Sequence, residues 1–189
     1  MAKQSSAQRD YEIRQLIRLC QEGDLEAFRV LVQAYHGSAQ SLARRLVGNR
    51  QDAQDIVQEA FIRVWRHLAR FDPQKSFIAW LYRIVTNLAY DVLRKRLKQG
   101  APLTFWSDHE DFIDNESAQD EALQIAMTIR YKAARLPLKQ QLVFVLRDLQ
   151  ELSVADVAKI LDTSQDAVKV NLYHARHALR RYLEADFDS

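Results

Sequence analysis

Hydrophobic positions along this chain recur mostly at steps of three and four, the period of a helix with one buried face. In residues 10–21, Ile13, Leu16, Ile17 and Cys20 share a face. Gly23-Asp24 then breaks the chain and offers an N-cap to a second helix, whose stripe is Phe28, Leu31, Val32 and Tyr35. A third helix is expected over 37–47, with Leu42, Leu46 and Val47 inward and Gly48-Asn49 as its stop. A fourth runs from about Asn49 to Leu68 on Ala53, Ile56, Val57, Ala60, Phe61, Val64 and Leu68. Arg70 to Lys75 form a loop that Pro73 keeps out of the helix. A fifth helix covers about 77–98, with Phe77, Leu81, Ile84, Leu88 and Val92 as its apolar stripe. No stretch shows the alternation of a strand, and no internal repeat is present.

That fifth helix carries more than packing requires. Trp80, Arg83, Asn87, Tyr90 and Arg94 make a second stripe, and Arg94, Lys95, Arg96 and Lys98 crowd its end. Aromatic platforms beside a cationic track suit bases and phosphates. The composition changes at Gly100. From there to Glu121 the charged residues are Asp108, Glu110, Asp111, Asp114, Glu116, Asp120 and Glu121, with no Lys or Arg. Such a segment reads as an acidic, flexible linker or a plain solvated loop, and its acids could also mimic nucleic acid along a basic channel. Phe105, Trp106 and Phe112 are unusual for a spacer and suggest that part of it docks.

Beyond the linker, helices are expected over about 119–135, 138–150, 153–161 and 165–183, with Pro137 at the first helical position of the second. Residues 152–183 have the layout of a helix-turn-helix. Ser153 and Asp156 resemble a capping box, and Val154, Val157, Ala158 and Leu161 face inward. Asp162 to Ser164 form the turn, and Val168, Leu172, Ala175 and Leu179 line the inner face of the next helix. Gln165, Lys169, Val170, Asn171, Tyr173, His174, Arg176 and Arg180 point outward, a set able to enter a major groove and touch phosphates. A pair of packed helices with a solvated basic face is the plainer alternative. The expected fold is all-α: two small helical domains, 1–99 and 119–189, joined by the acidic linker 100–118.

Charge and chemistry narrow the function classes. The 189 residues carry a net charge of +2, too small to name a partner. Cys20 is the single cysteine, so a disulfide framework and a multi-thiolate zinc site are excluded. His174 and His177 stand three apart without a third ligand nearby and read as surface groups rather than a metal site. No Gly-rich phosphate loop, metal triad or nucleophile–base pair occurs, so no enzyme, cofactor or metal is expected. The N-terminus has no apolar signal region and no stretch approaches ~18 apolar residues, so a cytoplasmic or nucleoid-associated protein without membrane insertion is expected.

The helix at 49–68 holds Asp52, Asp55, Gln58, Glu59 and Arg63 on its outer face beside Trp65. Ordinary compensation of the helix dipole or a docking face for a protein would both read this way. Together with the loop and the fifth helix, it forms a segment from Asp52 to Arg96 that resembles a known pattern. The likeness is to the core-binding and minus-ten-reading segments of the bacterial RNA polymerase sigma factors of the extracytoplasmic-function (ECF) group. The segment from Leu136 to Leu183 resembles their C-terminal domain. The resemblance spans about residues 10–183, with its parts in the family's order.

What the resemblance implies is an alternative sigma factor that binds core RNA polymerase and directs promoter-specific initiation, with polymerase and promoter DNA as partners and an anti-sigma factor as a further one. It gives Asp52, Asp55, Gln58, Glu59, Phe61 and Trp65 to the polymerase's largest subunit. It gives the loop 70–76, Phe77, Trp80, Arg83, Asn87, Arg94, Lys95, Arg96 and Lys98 to the minus-ten element, the loop receiving a flipped base and Asn87 contacting the non-template strand. It gives Gln165, Lys169, Val170, Asn171, Tyr173, His174, Arg176 and Arg180 to the minus-thirty-five element, and Leu138 and Val143 to the polymerase flap. Val170-Asn171 and His174 depart from the family's frequent Ser-Arg and Arg, which leaves fewer cations for reading DNA. An autonomous helix-turn-helix regulator and an all-helical interaction protein are the rival readings. The strand-trapping character of 77–98 argues against the first, and salt-dependent DNA binding would dismiss the second.

Overall fold

The computed structural model describes residues 2–99, 128–129, 132–133 and 135–187, and every regular element among them is helical. The helices are α1 (Ala2–Gln21), α2 (Leu25–Val47), α3 (Arg50–His67), α4 (Phe77–Lys98), α5 (Leu138–Phe144), α6 (Val154–Leu161) and α7 (Gln165–Phe187). A 3₁₀ turn over Leu68–Arg70 ends α3, and a π-helical turn over Val145–Leu149 extends α5. The linker 100–118, with Phe105, Trp106 and Phe112, lies outside the described residues. So does most of the helix expected over 119–135, of which residues 128–129 and 132–133 are described and helical.

The starts of α2, α3, α4, α6 and α7 are set by side-chain caps. Asp24 Oδ1 accepts from the Glu26 and Ala27 N–H groups, and Asn49 Oδ1 accepts from Asp52. Ser76, Ser153 and Ser164 each accept, through Oγ, from the N–H three residues on. Each bond satisfies an otherwise orphaned donor and contributes about 1 kcal/mol. The box at Ser153 is only half made. Asp156 meets the Ser153 hydroxyl at 2.6 Å rather than reaching back to its backbone. Pro137 precedes α5 instead of opening it.

The expected break between the second and third helices does not occur: α2 runs straight through Gly37. A Cβ there would meet nothing within 4 Å, so no close approach demands a glycine. Burial of Leu31, Ala39, Leu42 and Leu46 on both sides outweighs the roughly 0.5–1 kcal/mol that a mid-helix glycine costs.

Helix α4 is the centre of the molecule. It packs against α2 and α3 on one side and against α6 on another. Its buried set is therefore wider than the expected stripe: Tyr82, Val85, Thr86, Ala89 and Leu93 join Phe77, Leu81 and Leu88, while Ile84 and Val92 are half-buried. The core runs without interruption from α1–α4 into Leu142, Leu146, Val157 and Ile160. A second cluster joins Leu136 and Phe144 to Ala175 and Leu179 of α7. Val143 is buried in the main core, so it offers no open surface; Leu138 is half-buried. Among the described residues, no helix is long and apolar enough to cross a membrane.

The helix-turn-helix forms with α6 and α7 as its members. Asp162 takes the left-handed conformation (φ 53°) at the end of α6, the place where glycine is common. A short polar residue tolerates that backbone better than a branched one.

Candidate functional site

Three faces concentrate the chemistry. The first is a groove between α2 and α3. Its apolar floor is Phe28, Val32, Phe61 and Ile62, and its rim includes Asp55, Gln58 and Trp65. Trp65 packs on Phe28 with ring centroids 4.7 Å apart, and His36 lies parallel to Phe61 at 6.4 Å. Trp65 and Ile62 stay exposed on one continuous helix face, as a protein-docking ridge requires. Asp52 and Glu59 turn elsewhere. Glu59 accepts from Arg63 Nε at 2.8 Å. Asp52 bonds to Arg96, whose other nitrogen donates to the Val47 carbonyl at 3.1 Å. The pair expected to serve two different partners thus fastens the start of α3 to the end of α4.

The second face is the outer edge of α4 with the loop before it. Gln21 Nε2 donates to the Leu68 and Phe71 carbonyls, at 2.9 and 2.7 Å, and so anchors the loop to α1. Asp72 Oδ1 accepts from the Gln74 N–H, and Arg14 donates to the Gln74 side chain. The loop encloses a concave pocket with His67, Arg70, Lys75, Trp80 and Arg83 on its wall. Phe77 is not an open platform. It is 3% exposed, set edge-on to Phe71 and Trp80, and packed on Tyr35. Phe71, a loop residue that no hydrophobic period marks, stacks on Trp80 at 4.5 Å and 23°, so the aromatic surface is a braced pair. Arg83, Asn87, Arg94, Lys95 and Lys98 are exposed along α4. Tyr82, inside the bundle, has its phenol pushed up by burial, against the opposing hydrogen bond of Ser38 and the charge of Arg45.

The third face is α7. Gln165, Lys169, Val170, Tyr173, His174 and Arg180 are exposed, with Val170 and Tyr173 the most open apolar groups there. Tyr173 lies against both His174 and His177, at 5.5 and 6.1 Å. Lys169 is held by Asp166 at 3.1 Å. Two expected DNA contacts are engaged within the chain instead. Asn171 Nδ2 donates to the Ala167 carbonyl at 2.8 Å. Arg176 makes a two-pronged bond to Asp148, Nε at 2.9 Å and Nη2 at 2.6 Å, and these bonds hold its proton more tightly than usual despite partial desolvation.

The faces meet at a seam. Asp162 lies 3.3 Å from Arg83, and Arg45 donates to the Leu149 carbonyl. Thr86, Asn87 and Tyr90 share a cleft with Leu161, Thr163 and Asn171. Nothing in the hydrophobic periodicity announces this contact. Its sequence trace is that the inward set of α6 includes Val154 and Leu161, which need cover from another helix.

Comparison with known proteins places both halves. Residues 31–99 match the model of Sigma-70 region 2, and residues 127–179 match that of Sigma-70, region 4. The chain is 34% identical to the ECF RNA polymerase sigma factor SigW of Bacillus subtilis over 182 residues, covering 90% of this chain and 96% of that protein. It is 33% identical to the RNA polymerase sigma-H factor of Pseudomonas aeruginosa over 181 residues, covering 90% and 93%. Among solved structures, CnrH in complex with the cytosolic domain of CnrY superposes with a TM-score of 0.68 at 28% identity, covering 93% of this chain and 99% of that one. The same two segments, in the same order and across nearly the full length of these relatives, settle the family: the chain belongs to the ECF sigma factors of RNA polymerase.

Proposed function

We propose that this sigma factor, which directs promoter-specific initiation by RNA polymerase, divides the task among its three faces. The polymerase docks on the α2–α3 groove, with Trp65, Phe61, Gln58 and Asp55 as its contacts. The opened minus-ten strand lies along α4, where the loop pocket takes a base, Asn87 hydrogen-bonds the strand, and Arg83, Arg94, Lys95 and Lys98 neutralise phosphates. Recognition helix α7 enters the major groove of the minus-thirty-five element through Lys169, Val170, Tyr173 and His174. Asp52, Arg96 and Arg176 act one step back, holding helices in place. Sigma factors are not enzymes, and the chemistry of RNA synthesis belongs to the polymerase.

The domains divide at 1–99 and 119–189, with 100–118 as the acidic connection. The protein works in the cytoplasm, where its polymerase and promoters are. An anti-sigma factor is a further partner, in the way that CnrH holds the cytosolic domain of CnrY.

The observation that carries this reading is the braced Phe71–Trp80 pair beside the exposed Arg83 and Asn87, an aromatic and cationic edge that a duplex reader does not need. Its test is Asn87→Ala, which should slow promoter opening by about ten-fold, the loss of one well-placed base contact, with polymerase affinity unchanged. Equal loss of opening and polymerase binding would sink the role given to Asn87.

A further inference from the structure

Helix α1 precedes both of the matched sigma segments, 31–99 and 127–179, yet it holds the loop that encloses the aromatic pocket beside α4. Ile17 and Cys20 are buried in the core and fix the last turns of α1. Gln21, at its end, is half-buried and directs its amide N–H groups at two loop carbonyls. The two bonds straddle the point where the chain leaves the 3₁₀ turn. Leu68 opens that turn, and Phe71 follows it in extended conformation (φ −75°, ψ 133°). A second tie lies further along. Arg14 donates to the Gln74 side chain at 3.1 Å, and the Lys75 N–H closes the intervening turn on the Asp72 carbonyl at 2.9 Å.

The bond to Phe71 matters because of what its ring does. The ring is 9% exposed, stacked on Trp80 at 4.5 Å and set edge-on to Phe77. Trp80 in turn lines the pocket with Arg70, Lys75 and Arg83. A carbonyl held at 2.7 Å fixes where its own residue stands, and so fixes the wall that the ring builds. Without Gln21 the part-buried Phe71 carbonyl loses a donor, and the extended segment can slide over Trp80. A site that tells one base from another needs its walls held to within about 0.5 Å.

We propose that Gln21 is a positioning residue for promoter opening: by pinning the Phe71 carbonyl it fixes the Phe71–Trp80 wall, and thereby the choice of base at one minus-ten position. Helix α1 then belongs to the DNA-reading machinery without touching DNA. This rests on the reading of the loop pocket as the receiver of a base.

The test compares Gln21→Met, which keeps length and helix propensity but has no side-chain N–H, with Gln21→Lys, whose ammonium can still donate to both carbonyls. Each full chain is assembled with core polymerase and transcribes a promoter that is mapped with the wild-type chain and randomised across its minus-ten positions. The position read by the pocket is the one whose base preference Trp80→Ala flattens. Gln21→Met should flatten the preference at that same position by about ten-fold, the effect of one lost base contact, with other positions and polymerase affinity unchanged. Gln21→Lys should retain it. In the free chain, amide hydrogen exchange across 68–76 should be about ten-fold faster in Gln21→Met than in wild type, and close to wild type in Gln21→Lys. Unchanged preference or unchanged exchange in Gln21→Met overturns the proposal. So does equal flattening by both variants, or a loss at every position together with polymerase binding. If Trp80→Ala flattens no position, the pocket reading fails instead. The two failures are told apart because exchange in the free chain reports the Gln21 tie without DNA.

Discussion

Replacing Asp148 by alanine separates the structural work of Arg176 from any work on DNA. The two side chains are 28 residues apart in sequence and join the turn after α5 to the recognition helix through two short bonds. Exposed ion pairs contribute about 0.2–1 kcal/mol, and hydrogen bonds between charged groups roughly twice a neutral bond. Asp148 is 19% exposed, which favours the upper end, while Arg176 at 58% exposed is partly screened. The coupling is therefore about 1 kcal/mol, equivalent to about 2–4 °C in Tm for a chain of this size. A double-mutant cycle of Asp148→Ala and Arg176→Ala, followed by urea unfolding, measures it directly. Asp148→Ala should also free the guanidinium for a phosphate. Duplex affinity should then hold or rise, and its salt dependence steepen by about one ion. A coupling under about 0.2 kcal/mol, or a variant that loses DNA affinity along with stability, would refute the assignment of Arg176 as a brace.

Trp65→Ala should weaken polymerase binding by at least about 30-fold, as loss of an aromatic anchor does, and an unchanged affinity would remove the α2–α3 groove as the docking face. Gly37→Ala should raise stability by about 0.5–1 kcal/mol, because the helix is continuous there and the added methyl meets nothing; a loss in urea unfolding would contradict this. Burial, with the nearby Asp24 charge, pushes the Cys20 thiol up to about 11 from its usual 9.0. Alkylation in the native state should therefore be at least ~100-fold slower than in urea at pH 8. Between about pH 9 and 11 the unfolded thiol has lost a proton that the native one keeps, so stability should fall as pH rises, and Tyr82 adds in the same direction. A urea midpoint that rises from about pH 8 to about pH 10.5 would be the wrong sign.

Local features were the legible part of this fold. The caps at Asp24 and Ser153 and the inner face Val168, Leu172, Ala175 and Leu179 depend on residues a few positions apart, and all stand as the sequence implies. Gly37 misled because a weak local propensity yields to burial on both flanks. The expected α4 stripe is too narrow because periodicity describes one buried face, and α4 is covered from two sides.

The candidate site was legible as a set of residue types and less so as a geometry. Charge type does not say which acid a cation will meet: Arg96 finds Asp52, Arg176 finds Asp148 and Arg83 finds Asp162, all pairings across distant segments. Phe71 sits in a loop, where no period marks it, and Phe77 is no open platform because its burial is what braces Trp80. The seam between the units depends on tertiary contact alone.

The most direct measurement is transcription in vitro with purified core polymerase, with and without this chain, on a library of bacterial genomic fragments with RNA 5′ ends mapped. The account predicts start sites that appear only with the chain, confined to a small promoter set sharing a minus-ten and a minus-thirty-five element, and lost with Trp65→Ala. Start sites that are the same with and without the chain would contradict it.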